Sequence, residues 1–242
     1  MRDVIKLAIS GCAGRMGSAI WDLASQDPDF EVVAALERSG HPLVGREKNG
    51  LVVTDDLAEV QKAHVLIEFT TPEATASHVR YVADHIYPVR KAMVIGTTGL
   101  NEEQATIVKN ASSAMPILFS PNMSVGVNLL FRLIPEIAKK LGPGWDIEIT
   151  ETHRKAKLDA PSGTAKKFAQ LLSEVTGKEI PTHALRIGDV AGDHTILFAS
   201  QGERIEITHR AQSPVLFAKG ALALTKKLIN HSPGLYDPTD LL

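Results

Sequence analysis

A chain of 242 residues, 44% hydrophobic and 22% charged, is long enough to bury one large core or two modest ones. Its formal net charge of -2 gives no bulk attraction for nucleic acid or an anionic membrane, so any anion site must be local and the expected partner is a small molecule. The single cysteine, Cys12, excludes an internal disulfide framework and a cysteine-rich zinc site and fits a reducing compartment, which points to the cytoplasm.

The N-terminus soon meets charge and glycine, and no apolar stretch reaches the roughly 18 residues of a membrane span, so neither a signal peptide nor a span is expected. Short apolar runs alternate with helical patterns through the first half, which predicts a doubly wound α/β sheet of Rossmann-like build. Strands are expected at Ile5–Ser10, Glu31–Leu36, Val65–Phe69, Met93–Gly96 and Ile117–Ser120. Between them Thr71 stands as a cap before Pro72, and Asn101 with Gln104 has the spacing of a capping box.

The first strand runs into Gly11, Cys12, Ala13, Gly14, Arg15, Met16 and Gly17, and then into a helix over Ser18–Ser25. Glycines here permit a tight strand-to-helix turn, let a phosphate approach the backbone and let the helix lie close on the strand. The spacing differs from the usual G-x-G-x-x-G, since Gly14 and Gly17 match its later glycines while Gly11 is displaced. Glu37, at the end of the second strand, is placed to accept hydrogen bonds from ribose hydroxyls, and its neighbour Arg38 to meet a 2′-phosphate, so either NADH or NADPH is expected to bind. Gly96, Thr97 and Thr98, and further on Ser120, Pro121, Asn122 and Met123, end two more strands on the same side, where ligands of open α/β sheets bind.

From Ile147 the pattern becomes α+β: strand Ile147–Glu151, a polar loop, helix Thr164–Thr176, then strands at Ala184–Ile187, Thr195–Ser200 and Arg204–Arg210. The apolar stretch Ala218–Ile229 is expected to return to the first domain. The expected organisation is therefore a dinucleotide-binding domain over 1–124 and 213–242, and a central substrate domain over 125–212, joined by a short hinge.

The polar loop concentrates His153, Arg154, Lys155 and Lys157 just ahead of Pro161, Ser162, Gly163 and Thr164. Those last residues open a helix, whose amides and hydroxyls make an anion site facing the cations. Such a pairing suits a substrate with two carboxylates, and a histidine there can move a proton near neutral pH.

The loop resembles the signature H-H-x-x-K-x-D-x-P-S-G-T-A of the dihydrodipicolinate reductases, matched by His153, Lys157, Asp159, Pro161, Ser162, Gly163, Thr164 and Ala165. The resemblance extends over nearly the whole chain and includes Gly11–Gly17, Leu36-Glu37-Arg38, Phe69-Thr70 with Pro72-Glu73, Val94–Gly99, Asn122 with Ser124–Asn128, Gly192–Thr195 and Gly202–His209. It departs at Arg154, where that family usually has its second histidine. The resemblance implies reduction of 4-hydroxy-tetrahydrodipicolinate, by way of dihydrodipicolinate, to tetrahydrodipicolinate, with NADH or NADPH, in diaminopimelate and lysine biosynthesis. It implies His153 as catalytic acid/base, Lys157 as a second proton-donating or charge-stabilising group, and Gly163 and Thr164 as holders of a substrate carboxylate. Ser162 belongs to the same helix start, and Arg154 is expected to remain a substrate ligand through its planar, permanently charged fork. Cofactor contacts are implied at Gly11–Met16, Glu37, Arg38, Gly96–Thr98 and Ser120–Met123, and a homotetramer is implied through the open sheet of the central domain.

The other histidines, His41, His64, His78, His85, His183 and His231, show no partner pattern, and His194 and His209 fall on expected strands and are read as structural. Neither a metal site nor a serine nucleophile is indicated, since Ser162 lies in Ala-Pro-Ser-Gly-Thr rather than G-x-S-x-G. Two other readings share part of the pattern. Another two-domain NAD(P)-dependent dehydrogenase needs the glycine loop but not the basic loop, and a non-catalytic dinucleotide sensor needs neither His153 nor Lys157.

Overall fold

The computed structural model describes residues 4–86 and 91–242. The chain begins β1 (Ile5–Ser10), α1 (Arg15–Ala24) and β2 (Phe30–Leu36), then the small hairpin β3 (Glu47–Lys48) and β4 (Leu51–Val52). It continues β5 (Val65–Glu68), α2 (Pro72–Asp84), β6 (Ala92–Ile95), α3 (Glu102–Ala111) and β7 (Pro116–Phe119). Then come α4 (Val125–Leu141), β8 (Asp146–His153), α5 (Gly163–Thr176), β9 (Thr182–Arg186), β10 (Gly192–Ser200) and β11 (Glu203–Ala211). Last are α6 (Val215–Leu228) and β12 (Gly234–Tyr236). The residues group into two compact units, one running to Ser124 and resuming over Phe217–Leu242, the other Val125–Leu216.

In the first unit β5 and β6 are buried at every position, the pattern of parallel strands covered on both faces. They belong to a 6-stranded sheet in the order β12-β7-β6-β5-β1-β2, whose neighbours all run parallel. Side chains alternate between two apolar layers, as period two requires. Leu7, Ile9, Val65, Ile67 and Val94 pack with Ile20 and Trp21 of α1 and with Leu222 and Leu224 of α6. Ala8, Leu66, Met93 and Ile95 face the other way, onto Val79 and Val82 of α2 and Val108 of α3. The strand order reverses beside β1, between β2 and β5, so the carboxyl ends of β1 and β5 flank the switch point.

Local signals set the helix starts. The Thr71 hydroxyl accepts from Ala74 N–H, and Asn101 and Gln104 complete their reciprocal capping box. One expectation needs correcting: α1 starts at Arg15 rather than Ser18, so its first turn is made from the glycine loop itself.

The second unit holds a 4-stranded sheet, β11-β10-β8-β9, antiparallel except for the parallel pair β8 and β9. Ile149, Ile196 and Phe198 of one sheet face pack against Phe168 and Leu172 of α5 and against Val127 and Ile134 of α4. α4 has no counterpart among the sequence-based expectations. Gly126 and an interior Pro135 argue against a helix on propensity, with proline costing about 3 kcal/mol. Burial of Val127, Ile134 and Ala138 at helical spacing outweighs that cost, at about 1.5–3 kcal/mol for each large side chain.

Candidate active site

Around the turn between β1 and α1, Gly11 and Gly17 have no room for a side chain. A Cβ on Gly17 would lie 2.1 Å from the Gly11 carbonyl oxygen, and one on Gly11, whose φ is +73°, would lie 2.5 Å from the Phe69 carbonyl oxygen. α2, α3 and α5 each begin under a capping side chain, whereas α1 begins at Gly14 with none and has no acid in its first turn. An uncapped helix start on a glycine cradle beside the switch point fits the pyrophosphate of a dinucleotide. Glu37 accepts from Ala13 N–H at 2.9 Å and from Arg38 N–H at 3.2 Å, so it is already tied to the loop, while the Arg38 side chain is exposed.

Two of the expected contacts face inward. Cys12 and Met123 have core side chains, 0% and 1% exposed, so only their backbones can meet a ligand. Burial, with Glu37 adding to it, pushes the Cys12 thiol up to about 11, and it stays protonated. Ser120 is 4% exposed and exchanges hydrogen bonds with the Asn122 backbone, whereas Thr98 and Pro121 are exposed. Gly96 lies under Phe69, whose ring would be 2.0 Å from a Cβ there.

In the second unit β8 buries alternate residues, Ile149, Glu151 and His153, on the face that carries the core, and His194 of β10 lies opposite Glu151 in register. This face is apolar along most of its length and becomes polar at the carboxyl end of β8. There Glu151, 1% exposed, accepts from His153 Nδ1 at 2.5 Å, from Ser162 N–H at 3.0 Å, and from both ends of the Arg186 guanidinium at 2.7 and 2.8 Å. Burial alone pushes the Glu151 carboxyl up. The hydrogen bonds from Arg186, then His153, then Ser162 outweigh it and hold the group below the usual carboxylate range.

With an anionic Glu151 beyond it, His153 Nδ1 carries the hydrogen, and Nε2 is left as the atom that gives or takes a proton. Gly192 makes room for it, since a Cβ there would lie 2.8 Å from Nε2. His194 stands with its ring 5.2 Å from that of His153 and its Nε2 3.0 Å from the Ser162 hydroxyl. Burial, and then the neighbouring His153, lower its pKa to about 4, so it is neutral near pH 7. Ser162 is 2% exposed, with its N–H on Glu151 and its hydroxyl shared between Ala165 N–H and His194. Ser162 thus holds the frame at the start of α5, and Gly163 and Thr164 open the helix beyond it.

Lys157 Nζ sits 2.8 Å from Asp159 Oδ1, and that contact holds the Asp159 carboxyl below its usual range. Arg186 reaches the backbone oxygens of Lys157 and Asp159 at 3.3 and 2.5 Å, so one guanidinium binds both the buried acid and the loop. Arg154 is exposed, and only its backbone is fixed, by donation to Val190 O at 2.7 Å. Sequence reasoning gave no role to Glu151, Arg186 or Gly192 and read His194 as structural. Glu151 was the findable one, because two residues before His153 on a strand is the same face. Lys48, which donates to Ser18 in the first turn of α1 at 3.0 Å, was also missed.

Family models described as dihydrodipicolinate reductase, N-terminus and C-terminus, match residues 5–123 and 126–242. The 4-hydroxy-tetrahydrodipicolinate reductase of Geotalea uraniireducens is 37% identical, with 99% of each chain covered. That of Thiobacillus denitrificans is 40% identical, with 98% of each covered. Among solved structures, a dipicolinate-bound dihydrodipicolinate reductase from Paenisporosarcina sp. TG-14 superposes with a TM-score of 0.85 at 25% identity, covering 99% of this chain and 100% of that one. The diaminopimelate dehydrogenase of C. glutamicum, at 13% identity and a TM-score of 0.62 over 100% of this chain and 95% of that one, shares the fold.

Proposed function

The chain belongs to the dihydrodipicolinate reductase family, and from that premise we propose how its residues carry the family's reaction, reduction of 4-hydroxy-tetrahydrodipicolinate, by way of the cyclic dihydrodipicolinate, to tetrahydrodipicolinate in diaminopimelate and lysine biosynthesis. NADH or NADPH, held at the glycine loop and the uncapped start of α1, supplies the hydride for a ring carbon. His153 supplies the balancing proton from Nε2 as negative charge spreads through the conjugated ring toward nitrogen. Glu151, itself held by Arg186, keeps the imidazole in the productive tautomer and stabilises its cationic form. Lys157 and the Gly163–Thr164 helix start neutralise the substrate carboxylates and orient the ring, and Arg154 adds a mobile cation.

The Glu151–His153 pair carries this reading, because a buried acid locked by an arginine fork onto a histidine is not needed to bind a dinucleotide. Its support weighs against a sensor without catalysis. The test is loss of dinucleotide absorbance with freshly made cyclic substrate: rapid oxidation is expected, and none with this substrate sinks the proposal. No helix among the described residues is long and apolar enough to cross a membrane, and a cytoplasmic enzyme is the reading we favour. A homotetramer is proposed through the sheet face opposite α4 and α5, where Thr150, Thr152, Thr195, Leu197 and Ala199 are only half-buried. Sedimentation at micromolar concentration checks it, and a monomer there rejects it.

A further inference from the structure

Glu68 ends β5 at the switch point, 0% exposed, and no step above uses it. Its Oε2 lies 2.8 Å from His78 Nδ1 of α2, and its Oε1 accepts the Thr70 hydroxyl. From there the contacts converge on Thr97, just past β6. The Thr97 hydroxyl oxygen accepts Thr70 N–H at 3.1 Å and the Thr75 hydroxyl at 2.8 Å. Thr75 is 3.4 Å from Glu68, so its single proton goes to the nearer Thr97. Both lone pairs of Thr97 are then filled from inside, and its own proton has no acceptor among the described residues. Phe69 and Thr70 also form the wall against which Gly11 and Gly96 must stay glycine. One buried acid thereby sets three strand-end segments that sequence reasoning assigned to the cofactor or left without a role.

We propose that Glu68, with His78, is a positioning pair for dinucleotide binding: by accepting the Thr70 hydroxyl it fixes the Phe69–Thr70 turn, whose Thr70 N–H joins the Thr75 hydroxyl in filling the acceptor positions of Thr97, so that Thr97 is left as a donor that selects an acceptor atom on the bound cofactor. A carbonyl oxygen such as that of a carboxamide satisfies this requirement, and an N–H group in its place does not. The inference rests on the dinucleotide reading of this unit. His78 is 20% exposed, and its Nδ1–H gives Glu68 a second donor beside the Thr70 hydroxyl.

The measurement is NADH affinity by isothermal titration calorimetry, with melting of the NADH-free protein run beside it. Glu68→Gln is expected to weaken NADH binding about tenfold, the scale of losing one charge-assisted hydrogen bond. His78→Leu should do the same, while His78→Asn, whose side-chain amide can donate to Glu68, should stay within about threefold of the parent. In a Thr97→Val background Glu68→Gln should cost clearly less than it does in the parent, because the Thr97 contact is already gone. Fully additive losses in that double variant, or lowered melting with unchanged NADH affinity, would overturn the proposal. Should Glu68→Gln not fold, the isosteric Thr75→Val takes away one of the two donors to Thr97 and must weaken NADH binding at least threefold, the low end of one neutral hydrogen bond, or the proposal fails. A parent protein that does not bind NADH removes the dinucleotide reading itself and this proposal with it, whereas a parent that binds normally beside an unaffected Glu68→Gln removes only the latter.

Discussion

Each unit contains a buried glutamate bonded to a histidine Nδ1, Glu68 with His78 and Glu151 with His153, at 2.8 and 2.5 Å. The two acids are almost equally hidden, 0% and 1% exposed, yet they are compensated differently. Arg186 forks onto Glu151, whereas Glu68 has the neutral hydroxyl of Thr70. Burying a carboxylate costs several kcal/mol, and each hydrogen bond to a charged group returns about 1.5–3 kcal/mol. The Glu151 charge is therefore balanced whether or not His153 carries a second proton, and that histidine is free to change state during turnover. Glu68 has no such cation and is held by the His78 ring and a threonine hydroxyl, which suits a fixed frame rather than a proton carrier.

The sharpest way to break the comparison is Arg186→Leu, which makes the second pair resemble the first but without its hydroxyl. We expect a loss of about 3–5 kcal/mol, the usual cost of stripping one partner from a buried pair, measured by urea unfolding. A loss under 1 kcal/mol would show that water compensates Glu151. The pH dependence has a definite sign. Because the Glu151 carboxyl is held below its usual value, its stabilisation is complete above the ordinary unfolded value near 4.3 and is lost as pH falls below it. Glu151→Gln should flatten that acid limb.

Next in size is the chemistry. His153→Ala and Lys157→Ala should each lower turnover on the order of 10²-fold or more, the range for positioned acid/base groups, with NADH affinity unchanged. Unaltered turnover in both would take the loop out of the reaction. The comparison predicts the opposite split for His78→Leu, in which binding suffers most.

His194 gives a smaller and purely thermodynamic effect. Its pKa is lowered to about 4 from 6.5, so between those values the unfolded chain binds the extra proton and stability rises with pH. His194→Gln should remove roughly 2 kcal/mol of that rise, discounting the full shift at 1.36 kcal/mol per pH unit. An unchanged pH slope would place His194 in contact with water.

How much of this was legible depended on whether the signal was local. The glycine loop, the caps at Thr71 and Asn101, and the Ser162 start of α5 are short-range patterns, and each stands where the sequence places it. α4 was hidden because Gly126 and Pro135 speak against a helix, while the burial that overrides them depends on α5 and β8. Arg186 and His194 reach Glu151 only through the register of β9 and β10 with β8, which no spacing in the sequence reveals. Glu68 stands at the end of an apolar strand, and nothing local distinguishes a solvated acid there from a buried one.

The exposed cations carry the two smallest effects. In the first unit Arg38 stands beside Glu37 with its side chain in solvent. If it meets a 2′-phosphate, Arg38→Ala should weaken NADPH about tenfold more than NADH, the worth of one charge-assisted contact. Equal losses would show that it does not touch that phosphate.

Arg154 is the counterpart beside His153, and there the sequence leaves the pattern it otherwise follows. Its N–H on Val190 O and the Lys155 N–H on Gly188 O, at 2.7 and 3.0 Å, fix the base of the side chain, while the guanidinium stays in solvent and can follow a carboxylate. An exposed cation contributes at most about 1 kcal/mol, so the effect belongs in KM rather than in turnover. A histidine with a pKa near 6.5 loses most of its charge by pH 8, whereas arginine keeps its own. Arg154→His should therefore match the parent's maximal rate, and its KM should climb several-fold more steeply than the parent's from about pH 6 to pH 8 at saturating cofactor. Superimposable KM curves would mean that the substrate never meets this side chain and that Lys157 and the α5 helix start hold the carboxylates by themselves.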